Sequence, residues 1–208
     1  MKRLEVNDAK YPYVVYMPEK FEENLPLVIQ LHGGGEKGLG GEDLYKVEIN
    51  GFANLLKEKN FPCITVMPQC PPDTIWLLEV KELKKFIEDI QLEYKADKNR
   101  TYVTGLSMGA YATWYLATTY PDMFAAIAPC CGGGMVAYAK NATMPIWAFH
   151  GSDDDVVYPT ETLNMINRIR KVGENKNVKL TIFDGVMHAS WIYAYTEELM
   201  NWLLEQKK

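Results

Sequence analysis

Ser107 stands in Gly105-Leu-Ser-Met-Gly109, directly after the β-rich run Thr101–Thr104 and before a segment of helical character that reaches about Tyr120. A serine on such a strand-to-helix turn is placed for nucleophilic attack on a carbonyl. The flanking glycines let the chain turn sharply and the helix pack close to the strand. The free N–H groups at the helix start favour negative charge at the serine oxygen. A serine hydroxyl is a weak nucleophile without a base, and the chain has only three histidines, at 32, 150 and 188. His188 follows the run Leu180–Phe183 and the turn Asp184-Gly185, so it falls on the loop after a later strand. An imidazole base needs an acid that fixes its tautomer. Between the serine and His188, the stretch His150-Gly-Ser-Asp153-Asp154-Asp155-Val-Val offers adjacent carboxylates, and spacing alone does not choose among them. His32 and His150 lie at strand ends and are expected to be structural. No EF-hand spacing follows the aspartates, and neither a metal nor an organic cofactor is expected.

Attack on a carbonyl also needs N–H donors where the oxygen becomes negative. One is expected from Met108, the residue after the serine. The other is expected from an early strand-end loop, and His32-Gly33-Gly34-Gly35 follows the run Leu27–His32. Glycines there let backbone amides approach a substrate. Gly33, Gly35 and Gly38 also spell G-x-G-x-x-G, the dinucleotide fingerprint. The next strand, Cys63–Met67, ends in Pro68-Gln69 with no carboxylate for a ribose, which argues against that reading. No Walker Gly-Lys-Ser/Thr occurs.

These loops must be held by alternating strands and helices. The expected strands are Tyr13–Met17, Leu27–His32, Cys63–Met67, Thr101–Thr104, Ala125–Pro129, Ile146–His150 and Leu180–Phe183, mostly continuous apolar runs suited to burial on both faces. Apolar residues at helical spacing predict helices over Glu79–Tyr94, Pro159–Lys171 and Ala189–Gln206. The pattern is that of an α/β fold with a mostly parallel sheet, whose sites lie at the carboxyl ends of the strands. With 208 residues, 48% of them hydrophobic and 24% charged, the chain is expected to form a single domain over 1–208. A net charge of −5 gives no electrostatic reason to bind nucleic acid or an anionic membrane. There is no apolar leader and no run near the ~20 residues of a membrane span, so a cytoplasmic location is expected. Cys63, Cys70, Cys130 and Cys131 show neither disulfide nor zinc spacing and are expected to be free thiols.

Together, Gly105-Leu-Ser-Met-Gly-Ala-Tyr-Ala-Thr-Trp114, Ile127-Ala-Pro-Cys-Cys-Gly-Gly133, Trp147-Ala-Phe-His-Gly151 and Met187-His-Ala-Ser-Trp191 resemble the α/β-hydrolase superfamily. Within it they are similar to the dienelactone-hydrolase-like and predicted-peptidase-type esterases, near carboxylesterases, polyhydroxybutyrate-depolymerase-like and feruloyl-esterase-like enzymes. The resemblance implies Ser107 as nucleophile and His188 as base. In the family's His-Gly-x-x-Asp-x-x-Val pattern the acid falls on Asp154. It implies Gly34 beside Met108 in the oxyanion hole, with Gly35 as the neighbouring alternative. It also implies substrate contacts near Trp76, after Pro68-Gln69-Cys-Pro71, and near Trp191, so Gln69, Trp76 and Trp191 are candidate substrate-binding residues. The family's glycine after Met-Gly is here Ala110. The implied activity is serine-dependent hydrolysis of small soluble acyl, aromatic or carbohydrate esters; a serine peptidase or a non-catalytic binding protein of the same fold are the alternatives. Few residues separate Cys131 from the strand at Ile146, where relatives insert a cap, so little or no cap domain is expected over the site.

Overall fold

The computed structural model describes residues 1–173 and 175–208. Eight strands form one sheet: β1 (Lys2–Val6), β2 (Tyr13–Met17), β3 (Leu27–Leu31), β4 (Ile64–Pro68), β5 (Thr101–Leu106), β6 (Ala126–Cys130), β7 (Ile146–Gly151) and β8 (Val178–Phe183). Their order is β1-β2-β4-β3-β5-β6-β7-β8. The pairings from β4 through β8 are parallel, while β2 is antiparallel to both β1 and β4. Strand β3 lies between β4 and β5, so the chain leaves β3 to one side and returns to the other. The order thus reverses at the β3–β5 crevice, where open α/β sheets place their ligands.

Alternation along the strands builds two cores. Tyr13, Val15 and Met17, with Leu27, Ile29 and Leu31, point to one face, which is covered by α2 (Val80–Glu93), α3 (Met108–Thr119) and α4 (Thr160–Val172). Val14, Tyr16 and Val28 point to the other, covered by α1 (Ala53–Glu58) and α6 (Glu197–Glu205). Helix α2 buries Leu83, Phe86, Ile87 and Ile90 at the spacing read from the sequence. Helix α4 ends at Gly173, which takes the left-handed φ of +75° of a C-cap. The fold is the α/β-hydrolase fold that the resemblance implied, with helices on both faces and no inserted cap between β6 and β7 among the described residues.

Three elements depart from the expectations. Strand β1 was not expected, because Lys-Arg-Leu-Glu-Val carries only two apolar residues. It is an exposed edge strand, where charge guards against further pairing, and Arg3 ties it to the buried Glu48. A 3-10 segment over Gly41–Glu48 and the short α1 fill the connection from β3 to β4, both too short for a clear period. The single C-terminal helix expected over Ala189–Gln206 is two helices, α5 (Trp191–Ala194) and α6. The break has a tertiary cause: Tyr195 turns inward to hydrogen-bond Thr104 Oγ1 at 3.0 Å and to pack edge-on against Phe52. Thr196 then caps α6 by accepting the Leu199 N–H.

The close approach of α3 to the sheet is set by two glycines. A Cβ on Gly109 would collide with the carbonyl oxygen of Leu31 on β3, and a Cβ on Gly105 with the carbonyl oxygen of Gly109. Gly109→Ala should therefore destabilise the chain by about 3 kcal/mol or more, because backbone cannot yield as a side chain does. For a chain of this size that is a fall of roughly 6–12 °C in Tm. Calorimetry showing an unchanged Tm would mean the helix has room that the packing denies it.

Candidate active site

Ser107 sits between β5 and α3 with φ +50° and ψ −115°, a conformation that side chains rarely adopt. Holding it there costs of order 1–3 kcal/mol, and it is over-determined: Ser107 N–H donates to Cys130 O at 3.0 Å, while Ser107 O accepts from Ala110 and Tyr111. Ala110, where the resemblance implied glycine, fits because Gly132 faces it. A Cβ on Gly132 would stand only 2.6 Å from the Ala110 methyl.

The loops after β7 and β8 bring Asp154 and His188 to this serine. His188 Nε2 lies 3.0 Å from Ser107 Oγ, and His188 Nδ1 lies 2.8 Å from Asp154 Oδ2. Asp154 Oδ1 accepts from the N–H groups of Val156 at 3.0 Å and Val157 at 2.9 Å. Of the three adjacent aspartates only Asp154 is buried, at 2% exposure; Asp153 and Asp155 face solvent, and Asp153 accepts from Ser152. Burial pushes the Asp154 carboxyl up, but hydrogen bonds from His188, Val157 and Val156 together outweigh it and hold it below the ordinary carboxylate value.

His150 stands behind the acid. Its Nε2 is 2.8 Å from Val157 O and 3.2 Å from Asp154 Oδ2, so that nitrogen carries the hydrogen. Its Nδ1 is 2.7 Å from Thr162 Oγ1 on α4. Burial lowers the His150 pKa against the opposing pull of Val157 O and Asp154. The ring is a buried neutral support for the acid's turn, structural as its strand-end position suggested.

The loop after β3 passes over Ser107. A Cβ on Gly33 would stand 2.9 Å from Leu106 Cδ1 and 3.6 Å from Ser107 Cβ. A short 3-10 turn, Gly34–Glu36, follows. The first N–H groups of a helix have no intrahelical carbonyl. Among the described residues no backbone oxygen outside the turn takes the Gly34 N–H, and none outside α3 takes the Met108 N–H. Cβ positions at Gly34 and Gly35 meet nothing within 4 Å, so this stretch of backbone is open on its outer side.

Two expected substrate-binding residues are buried supports instead. Trp76 is 0% exposed, and its indole N–H donates to His32 O at 3.2 Å. Gln69, also 0% exposed, accepts from Gly40 N–H and donates to the carbonyls of Glu36 and Asp43. Both shape the β3 loop from within and offer no surface to a ligand. The Pro-Gln-Cys-Pro stretch placed them near the site correctly, but burial was invisible in one sequence. Trp191, by contrast, is partly exposed and packs edge-on against the His188 ring, centroids 5.3 Å apart.

Sequence reasoning missed the brace that holds Trp191. Trp191 Nε1–H donates to Asn50 Oδ1 at 3.0 Å, and Asn50 Nδ2–H donates to Glu36 Oε1 at 2.5 Å. Asn50 thus joins the base's loop to the turn that carries Gly34. No local pattern announces such a residue, since its partners are far apart in the chain. One mixed donor set was also missed: Cys131, Asp154 and His188 each present an atom within 4.8 Å of the others.

Residues 74–201 match the Phospholipase/Carboxylesterase family model, and the chain belongs to that family. It is 28% identical over 155 residues to a bifunctional acetylxylan esterase/xylanase of Neocallimastix patriciarum, covering 69% of this chain and 21% of that protein. It is 30% identical over 131 residues to poly(3-hydroxyalkanoate) depolymerase C of Paucimonas lemoignei, covering 57% of this chain and 30% of that one. The chain thus spans less than a third of either curated relative. The crystal structure of a thermostable esterase superposes with a TM-score of 0.81 at 30% identity, over 100% of this chain and 63% of that one. An acetyl xylan esterase from Aspergillus awamori shares the fold, with a TM-score of 0.74 at 15% identity over 98% of this chain and 99% of that one. No helix among the described residues is long and apolar enough to cross a membrane.

His32 gives the site's foundation a pH dependence. Its Nδ1–H donates to Gly33 O at 2.6 Å and its Nε2 accepts the Cys70 N–H at 2.9 Å, a pattern only the neutral ring satisfies. Burial holds its pKa down to about 4, against the raising effect of Gly33 O and with Lys37 lowering it further. Unfolded, the ring titrates near 6.5. Between those values the unfolded chain binds the extra proton, so this contribution is complete above about pH 6.5 and is lost as pH falls toward 4. Urea unfolding at pH 7 and pH 5 should show the native chain losing about 2 kcal/mol more than His32→Gln over that interval. Equal losses would remove His32 from the account.

Proposed function

We propose that this chain is a serine hydrolase that cleaves carboxylic esters through an acyl-enzyme on Ser107. The observation that carries the reading is the unbroken hydrogen-bonded line Ser107 Oγ–His188 Nε2 and His188 Nδ1–Asp154 Oδ2, in a family named for phospholipase and carboxylesterase activity. Asp154 holds the Nδ1–H tautomer, leaving Nε2 free to accept the serine proton as Oγ attacks the carbonyl carbon. The N–H groups of Met108 and Gly34, with Gly35 as the alternative to Gly34, receive the oxyanion. His188 then passes the proton to the departing alkoxide. Water deprotonated by the same ring cleaves the acyl-enzyme and restores Ser107. No step calls on a metal or an organic cofactor.

The absence of a segment covering the site among the described residues supports small acyl, aromatic or carbohydrate esters as substrates. A hollow of about 210 Å³ is lined by Asn50, Gly51, Tyr195 and Trp191, and Trp191 packs against the His188 ring, which supports an aromatic or sugar group bound on that side. The names of the relatives, acetylxylan esterase among them, fit this class.

Ser107→Ala should lower ester hydrolysis by about 10⁴-fold or more with Tm within about 2 °C of the parent. Asp154→Asn should lower kcat by a similar factor, because the wrong tautomer is then held. A panel of p-nitrophenyl acetate, a feruloyl ester, an acetylated sugar and a peptide amide separates esterase from peptidase. Full activity of Ser107→Ala on the esters would refute the assignment.

A further inference from the structure

Cys131 is brought into the site by the fold, yet no step of the proposed reaction uses it. It follows β6 directly, is fully buried, and has a left-handed φ of +49°. Its thiol sulfur, a carboxylate oxygen of Asp154 and a ring nitrogen of His188 lie within 4.8 Å of one another. The donors are one thiol, one imidazole and one carboxylate, converging from three different loops.

The chemistry of that set selects among cations. Calcium and magnesium need several oxygen ligands, and here only one residue supplies oxygen. A thiolate with an imidazole suits zinc and cadmium. Zinc bonds of about 2.0–2.3 Å set tetrahedral ligand separations near 3.3–3.7 Å, so Asp154 Oδ2 and His188 Nδ1, 2.8 Å apart, must open by about 0.5 Å, while the sulfur draws in by at most about 1 Å. His188 can supply that movement, because its side chain is 19% exposed while Asp154 is sealed behind it. The line from Asp154 Oδ2 to His188 Nδ1, 2.8 Å long, is occupied by a single hydrogen. A cation that replaces this hydrogen keeps both groups charge-compensated.

We propose that Cys131, Asp154 and His188 form an inhibitory site for a thiophilic divalent cation of the zinc class, entering from the cleft past His188. On binding, Cys131 Sγ–H releases its proton to solvent and the His188 ring proton moves from Nδ1 to Nε2. The metal takes Sγ, Nδ1 and a carboxylate oxygen, leaving its fourth position open to water. With Nε2 protonated and Nδ1 held by metal, His188 has no lone pair for the Ser107 hydroxyl, and turnover stops. The inhibition rests on the hydrolase reading; the binding does not.

Two measurements on the whole chain test this, in a non-coordinating buffer free of chelator. In the first, ZnCl2 is titrated against p-nitrophenyl acetate hydrolysis for the native chain, Cys131→Ala and Cys131→Ser. Loss of an outer-shell partner alone costs about 10–100-fold in metal affinity, so loss of a direct ligand should raise the half-inhibiting concentration by about 100-fold. Uninhibited rates should stay within about twofold. In the second, CdCl2 is titrated while the ultraviolet cadmium–thiolate charge-transfer band is read. The band should saturate at one equivalent in the native chain, vanish in both Cys131 variants, and need a higher cadmium concentration in His188→Ala. Undiminished zinc inhibition in the Cys131 variants, a cadmium band that survives them, or no band in the native chain would overturn the site. If the chain cleaves no ester at all, the cadmium titration still decides the site, and only the hydrolase reading fails.

Discussion

A buried carboxylate without a lysine or arginine partner organises the working end of this molecule. Asp154 is sealed from solvent, and an ionised group there is tolerable only if its oxygens are fully engaged. The engagement comes from four directions: two backbone N–H groups of its own turn, His188 across the sheet edge, and His150 behind. Each donor is itself fixed. His150 is held by Thr162 Oγ1, which lies 2.7 Å from its Nδ1 and 2.6 Å from Gly132 O, so α4 and the loop after β6 are tied to the turn of Asp154. The position of His188 over Ser107 therefore follows from satisfying Asp154.

The other half of the site depends on steric constraint. Glycines 105 and 109 let α3 press against β3, which aims the helix N-terminus at Ser107 and forces that residue to positive φ. The β3 loop then crosses Ser107 at Gly33, shaped from below by Gln69, His32 and Trp76. These two halves, one electrostatic and one steric, are joined by the Glu36–Asn50–Trp191 brace. The brace links the Gly34–Glu36 turn to Trp191, which packs edge-on against the His188 ring.

How much of this the sequence could reveal follows from which constraints are local. The elbow was legible, since a tight strand–Ser–helix turn dictates small residues at fixed offsets. The placing of His188 beside Ser107 was legible by scarcity, as only His188 of three histidines lies on the loop after a late strand. Asp154 was separable from Asp153 and Asp155 only through the family pattern; the physical discriminator is burial, a tertiary fact. The same limitation explains Trp76 and Gln69, correctly placed near the site but buried beneath it. The break at Tyr195 arises from contacts with Thr104 and Phe52, almost a hundred residues or more away in the chain, and no periodicity encodes it. Strand β1 is held by its edge pairing and by Arg3 on Glu48 rather than by burial of its two apolar residues. Asn50 and Cys131 gain significance only when distant loops converge.

The central claim is that Ser107 is activated by the His188–Asp154 pair. The most direct measurement is covalent labelling of the native chain by a fluorophosphonate, followed by peptide mass mapping. One adduct per chain is expected on the peptide bearing Ser107, formed slowly or not at all in His188→Ala. Labelling at another residue, or a His188→Ala chain that labels at the native rate, would contradict it.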